Sequence, residues 1–96
     1  MKYRVELTRA ARHDIGEIYA WLYEHAPAFA DRWLLGIHQA VATLSHMPQR
    51  CRVVPEAAGD EGELRQLLFH AWRVLFEIDG RTVLVLHVRH SSTPAN

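Results

Sequence analysis

The sequence predicts an α+β fold of order β-α-α-β-β-β, an antiparallel twisted sheet with a helical hairpin packed on one face. Three observations lead there. Residues 64–90 read as consecutive strands, the last two joined by an Asp79-Gly80 turn. Two segments before them carry apolar residues at steps of three and four, as amphipathic helices do. Residues 2–7 alternate strictly, as a half-buried or edge strand does.

In the first strand Tyr3, Val5 and Leu7 share one face and charged residues the other. Thr8 then supplies an N-cap hydroxyl for a helix ending near His25. Its stripe is Ala11, Ile15, Ile18 and Leu22, with Arg12 and Glu17 off it. Gly16 weakens this helix by roughly 1 kcal/mol relative to alanine, which packing can offset. Pro27 disfavours helical geometry at Ala26 and is suited to opening a new helix. The second helix spans about 28–45 with the stripe Ala30, Trp33, Ile37, Val41 and Leu44, and Met47-Pro48 ends it. The short connection makes the pair an antiparallel hairpin.

Residues 48–63 contain two prolines, two glycines and four acids, a loop composition, with Val53 and Val54 expected to pin it. Strands 64–69 and 72–78 follow, turning at His70-Ala71. Trp72, Val74, Phe76 and Ile78 share one face; Arg73, Leu75 and Glu77 share the other. A two-residue Asp79-Gly80 loop places Ile78 opposite Arg81, Phe76 opposite Val83 and Val74 opposite Val85. Strand 82–90 is apolar on both faces, so it belongs in the middle of the sheet. The face opposite the helices stays at least partly open, and Arg73 points to it.

At 96 residues the chain is expected to be one domain, 1–96. Eleven basic residues balance eleven acids, so no overall field draws it to nucleic acid or a membrane. A single cysteine, Cys51, precludes an internal disulfide, and no signal-peptide or membrane-spanning run appears, so a cytoplasmic location is expected. Of seven histidines, none shows the helical or clustered spacing zinc requires; no metal and no cofactor are expected. Cys51 has no activating base near it in sequence.

The candidate site residues are Arg65, Arg73, Arg89 and His90, cations set into apolar strands. An arginine there must be paired, exposed on an open face, or used in binding, because an unpaired buried charge is costly. Arg73 has two readings: a structural pair with Glu77 or a 56–63 loop acid, or a contact with a binding partner. Arg65 is expected near the edge of the helix-facing side, in a structural role. In a regular strand His90 shares the Arg73 face and Arg89 does not; a bulge near the terminus brings Arg89 there too.

These elements and residues resemble the RelE/ParE superfamily of toxins from type II toxin–antitoxin modules. The resemblance is carried by Ala11, Ile18-Tyr19 and Trp21-Leu22, by Met47-Pro48, by Leu64-Arg65-x-Leu67, by Trp72 to Phe76, by Asp79-Gly80, and by Val85 to His90. It implies a growth-inhibiting protein of the plasmid-stabilisation type, neutralised by a cognate antitoxin. That antitoxin is a small DNA-binding protein whose disordered C-terminal segment folds over the toxin. RelE-like members cut messenger RNA on the ribosome, whereas ParE-like members poison DNA gyrase by binding. The resemblance places Arg73 at the third-strand arginine of the ribonucleases, and Arg89 with His90 approximates their C-terminal basic pair. Leu64 and Gln66 stand where such members carry lysines, and the tail SSTPAN holds no tyrosine. The expectation is therefore a ParE-like, non-enzymatic toxin that inhibits gyrase. The alternatives are a ribosome-dependent ribonuclease using Arg73, Arg89 and His90, or a non-toxic remnant that binds antitoxin.

Overall fold

The computed structural model describes residues 2–54 and 63–92. Strand β1 (Arg4–Leu7) leads into helix α1 (Arg9–His25), which is followed by α2 (Pro27–Ala42). A short 3₁₀ turn (Thr43–Ser45) extends α2, and a second (Pro48–Arg50) precedes the two-residue strand β2 (Arg52–Val53). Strands β3 (Arg65–Phe69), β4 (Trp72–Asp79) and β5 (Thr82–His90) complete one five-stranded sheet of order β1-β5-β4-β3-β2. The expected loop over 48–63 is thus partly structured at its start, and residues 55–62 lie outside the described residues. Val54 pins it, 2% exposed, whereas Val53 is 37% exposed on the edge strand.

The helices form as their sequences predict. Thr8 caps α1 by accepting the Ala11 amide at 3.2 Å, and Pro27 occupies the first turn of α2. Ala11, Ile15 and Leu22 of α1 and Ala30, Trp33, Ile37 and Val41 of α2 are buried against Val74, Phe76, Val83, Val85 and Val88. That layer is the main core, and it lies wholly between the helical hairpin and one face of the sheet. Leu75, from the opposite face, is also fully buried, but in a separate small cluster with Val54 and Leu64.

The sheet departs from the expected all-antiparallel arrangement in one pairing. β1 runs parallel to β5, Val5 beside Val83 and Leu7 beside Val85, so the sheet is mixed. Alternation reports which face a residue takes, not the direction of the neighbouring strand. β5 does sit in the middle, between β1 and β4.

The β4–β5 register differs as well. Asp79 pairs with Thr82, Ile78 with Val83 and Phe76 with Val85, so the two-residue loop is Gly80-Arg81 and Ile78 does not face Arg81. Gly80, with φ +60°, occupies the first central position, as a type II′ turn demands. Beyond Phe76 the register shifts again: Leu75 pairs with His87 and Val74 with Val88 rather than Val85, leaving Leu86 as the extra residue of a β-bulge. The bulge reverses the alternation of β5, so Val83, Val85 and Val88 all reach the helical core.

The bulge lies where β1 runs out. Leu7 is the last β1 residue paired with β5, and beyond it the edge of β5 is met by the start of α1. The Thr8 hydroxyl donates to the Val85 carbonyl at 2.8 Å, and the Asp14 carboxylate accepts the Val88 amide at 3.0 Å. Side chains of one helical turn and a half thus replace a strand that has ended.

Candidate functional site

The bulge decides which candidate residues meet. Arg73 and Arg89 are directly opposite each other on β4 and β5, on the sheet face away from the helices. Leu68 of β3 lies opposite Arg73 and is 61% exposed. The next row on this face holds Gln66, Leu75 and His87. The result is a mixed strip, two guanidiniums flanked by leucines. Like charges opposite each other in a sheet repel, so each guanidinium calls for a compensating contact of its own.

Arg73 is 8% exposed, and its Nη1 donates to the Gln66 side-chain oxygen at 3.3 Å. Of the structural partners read from sequence, Glu77 does share its strand face, and the loop acids at 56, 60 and 61 lie outside the described residues. Arg65 pairs with Phe76 and therefore lies on the helix side, as expected. Its Nη1 donates to the carbonyls of Cys51 at 2.7 Å and Gln49 at 3.2 Å, and its Nη2 binds Glu63 at 3.1 Å. Those contacts tie β3 to the chain before β2 and leave Arg65 apart from the Arg73–Arg89 row.

His90 is not on the Arg73 face. It pairs with Trp72 and turns to the helix side, its ring edge-on to Trp72 at 5.7 Å. There it lines an apolar cleft of about 300 Å³ with Glu17, Ile18, Trp21 and Trp72. Trp21 is 56% exposed and stacks on His25 at 4.3 Å. The helical hairpin also leaves Tyr23 and Leu35 exposed.

The residue that the bulge brings beside Arg89 instead is His87. Its Nδ1 lies 3.0 Å from Asp14 Oδ2 and 3.3 Å from Arg89 Nη2. Sequence reasoning missed this pair. Asp14 and His87 are 73 positions apart, and the only signal was an acid on α1 outside its apolar stripe. Elsewhere among the described residues, two groups have shifted acidities. Hydrogen bonding to Asp31 at 2.7 Å is the main cause that raises the Tyr19 phenol, and burial raises the Cys51 thiol. A buried thiol held protonated suits neither nucleophilic attack nor metal ligation. Among the described residues, no group of three or more histidine, cysteine or acidic side chains is placed to hold a metal ion. No helix among them is long and apolar enough to cross a membrane.

Comparison with known families resolves the kinship. The model for the ParE toxin of the type II toxin–antitoxin system parDE matches residues 5–94. The chain belongs to this family. It is a ParE-type toxin within the RelE/ParE superfamily.

Solved structures agree in fold. A chain of the chromosomal ParDE toxin–antitoxin system from P. aeruginosa superposes with a TM-score of 0.77 at 20% identity, over 93% of this chain and 96% of that one. A chain of the RelBE2 toxin–antitoxin complex from Mycobacterium tuberculosis gives 0.59 at 24% identity, over 94% and 99%. A search of curated proteins finds no match.

Proposed function

We propose that this ParE-type toxin arrests growth by binding, without bond cleavage, and that its target is DNA gyrase. The observation that carries this reading is the separation of Arg73 and Arg89 from His90, which lie on opposite faces of the sheet. A ribonuclease must bring a proton acceptor, a proton donor and phosphate-binding cations to one phosphodiester. The set read from sequence is divided by the sheet itself, and Gln66 stands on β3 beside Arg73 where a lysine was sought. The family match supports the ParE-like side of the superfamily. The partner is a cognate antitoxin whose C-terminal segment folds across the exposed aromatic surface of the hairpin and the part of the sheet face that carries Leu68 and Arg89.

The experiment is a supercoiling assay with purified toxin and gyrase. Loss of supercoiling, restored by the cognate antitoxin, is expected. Unchanged supercoiling at saturating toxin sinks the gyrase assignment.

One observation favours a second reading. His87 lies on the Arg73–Arg89 face, where His90 was expected, and Asp14 orients its ring. A ribosome-dependent ribonuclease would therefore use Arg73, Arg89 and His87. Primer extension on translated messages after induction tests it, since codon-positioned cuts abolished by His87→Ala would replace the gyrase reading.

A further inference from the structure

We infer that Arg89 is an anchor for a carboxylate side chain of a protein partner, with His87 and Asp14 as the residues that hold it ready. The inference rests on the binding reading above and names the partner chemistry at that face.

The hydrogen positions around His87 carry the argument. A carboxylate only accepts, so the 3.0 Å contact with Asp14 requires the hydrogen to be on His87 Nδ1. Asp14 is fixed in turn by the Val88 amide, which donates to the same oxygen at 3.0 Å. The 3.3 Å approach of Arg89 Nη2 to His87 Nδ1 therefore sets a donor against a donor and is no hydrogen bond. Arg89 Nε is buried and has no partner among the described residues. No carboxylate among the described residues forms an ion pair with Arg89. A half-buried guanidinium is thus held against a ring that repels its donors.

Such a cation is costly until an anion reaches it, and a planar guanidinium suits an oxyanion best. Two features select a protein carboxylate over a phosphodiester. The chain is formally neutral, with eleven bases and eleven acids, whereas nucleic-acid interfaces are strongly basic. On the same face Leu68 is 61% exposed in the row of the two arginines. An arginine set among apolar contacts is the usual composition of a protein-binding hot spot. Asp14 acts as a positioning residue: by fixing the His87 tautomer it prevents the ring from satisfying Arg89.

The test follows the arginine Nε–H and histidine ring signals of the labelled full chain by NMR during titration with sodium acetate or dimethyl phosphate. Acetate is expected to move the Arg89 signal saturably, and dimethyl phosphate to move it less. Arg89→Gln abolishes the response, and Arg89→Lys, which keeps the charge without the fork, weakens it. Asp14→Asn lets His87 Nδ1 become an acceptor; the expected results are a changed ring tautomer and a weaker acetate response in a folded chain. No acetate response, or a preference for dimethyl phosphate, overturns the proposal, the latter in favour of nucleic acid.

A second measurement uses the cognate antitoxin, whose affinity should fall roughly 10- to 100-fold on Arg89→Gln. Unaltered affinity for a variant that still folds removes Arg89 as an anchor while the antitoxin-binding reading stands. Absence of antitoxin binding to the unaltered chain removes that reading, and the acetate titration still decides the anion site.

Discussion

The two faces of the sheet are made by the same strands and differ in what they must satisfy. Toward the helices β4 presents Trp72, Val74, Phe76 and Ile78, all packed in or against the main core with Trp33 and Ile37 of α2. Away from the helices it presents Arg73, Leu75 and Glu77, of which Leu75 is covered by Val54 and Leu64. The first face is held by area removed from water, which is non-directional and tolerates no vacancy. The second buries Leu75 and, among its charges, Arg73, so polar contacts as well as area decide how it is held. Most of the apolar burial lies on one face and the candidate cations Arg73 and Arg89 on the other, and the bulge at Leu86 separates them by deciding which β5 residues go where.

That contrast has direct consequences. The largest effect is expected from Phe76→Ala, which should cost roughly 3–5 kcal/mol by opening a cavity under the hairpin, whereas Leu68→Ala should cost less than about 1 kcal/mol. Urea unfolding of both variants checks the ratio, and comparable losses would end the distinction between the faces.

Next in size is a pair of helical glycines. A Cβ at Gly36 would stand 2.5 Å from the Phe69 ring, whereas nothing lies within 4 Å of one at Gly16. Gly36→Ala should therefore destabilise by about 1–2 kcal/mol net, overpacking outweighing the helical gain, and Gly16→Ala should stabilise by about 0.5–1 kcal/mol. Gains at both sites would show that α2 does not approach β3 as closely as described.

Thr8→Ala removes the cap of α1 and the bond from its hydroxyl to Val85 on the β5 edge. A loss of about 1–2 kcal/mol is expected, with faster amide exchange at Ala11. A loss confined to helix fraying, with no change at β5, would mean the edge is supported elsewhere.

The smallest effect concerns pH. The raised Tyr19 phenol donates to Asp31 and joins α1 to α2 on the outer surface. A group whose folded pKa is raised contributes stability below its unfolded value, near 10.0, and loses it as pH climbs through the folded value. Tyr19→Phe should thus lower stability slightly at neutral pH and flatten the alkaline limb of the stability profile. A profile of unaltered shape would remove the Tyr19–Asp31 link.

Much of this architecture was legible in the residues. The Thr8 cap, the Pro27 break, the two apolar stripes, the His70-Ala71 turn and the faces of β4 all follow from local periodicity and capping chemistry. The central place of β5 followed from its double apolar face. The same double apolarity hid the bulge, because in LVLHVRH either parity buries a valine or a leucine. His90 was therefore assigned to the face that His87 occupies. The turn was misplaced by one residue on the Asp79 side, since Asp-Gly marks a hairpin without stating which two residues form its loop.

The two helices, the longer strands, the faces of β4 and the family to which the chain belongs were all written in the residues themselves. Those properties repeat within a few residues, at the period of the helix or the pleat, so each is written locally. Tertiary structure alone decided the direction of β1 against β5, the parity after Leu86 and the meeting of Asp14 with His87. Each of those depends on segments more than seventy residues apart and on where one strand ends against another. No local period records such a relation; it is settled only when the edge of β5, left by β1, finds its hydrogen bonds in the first turns of α1.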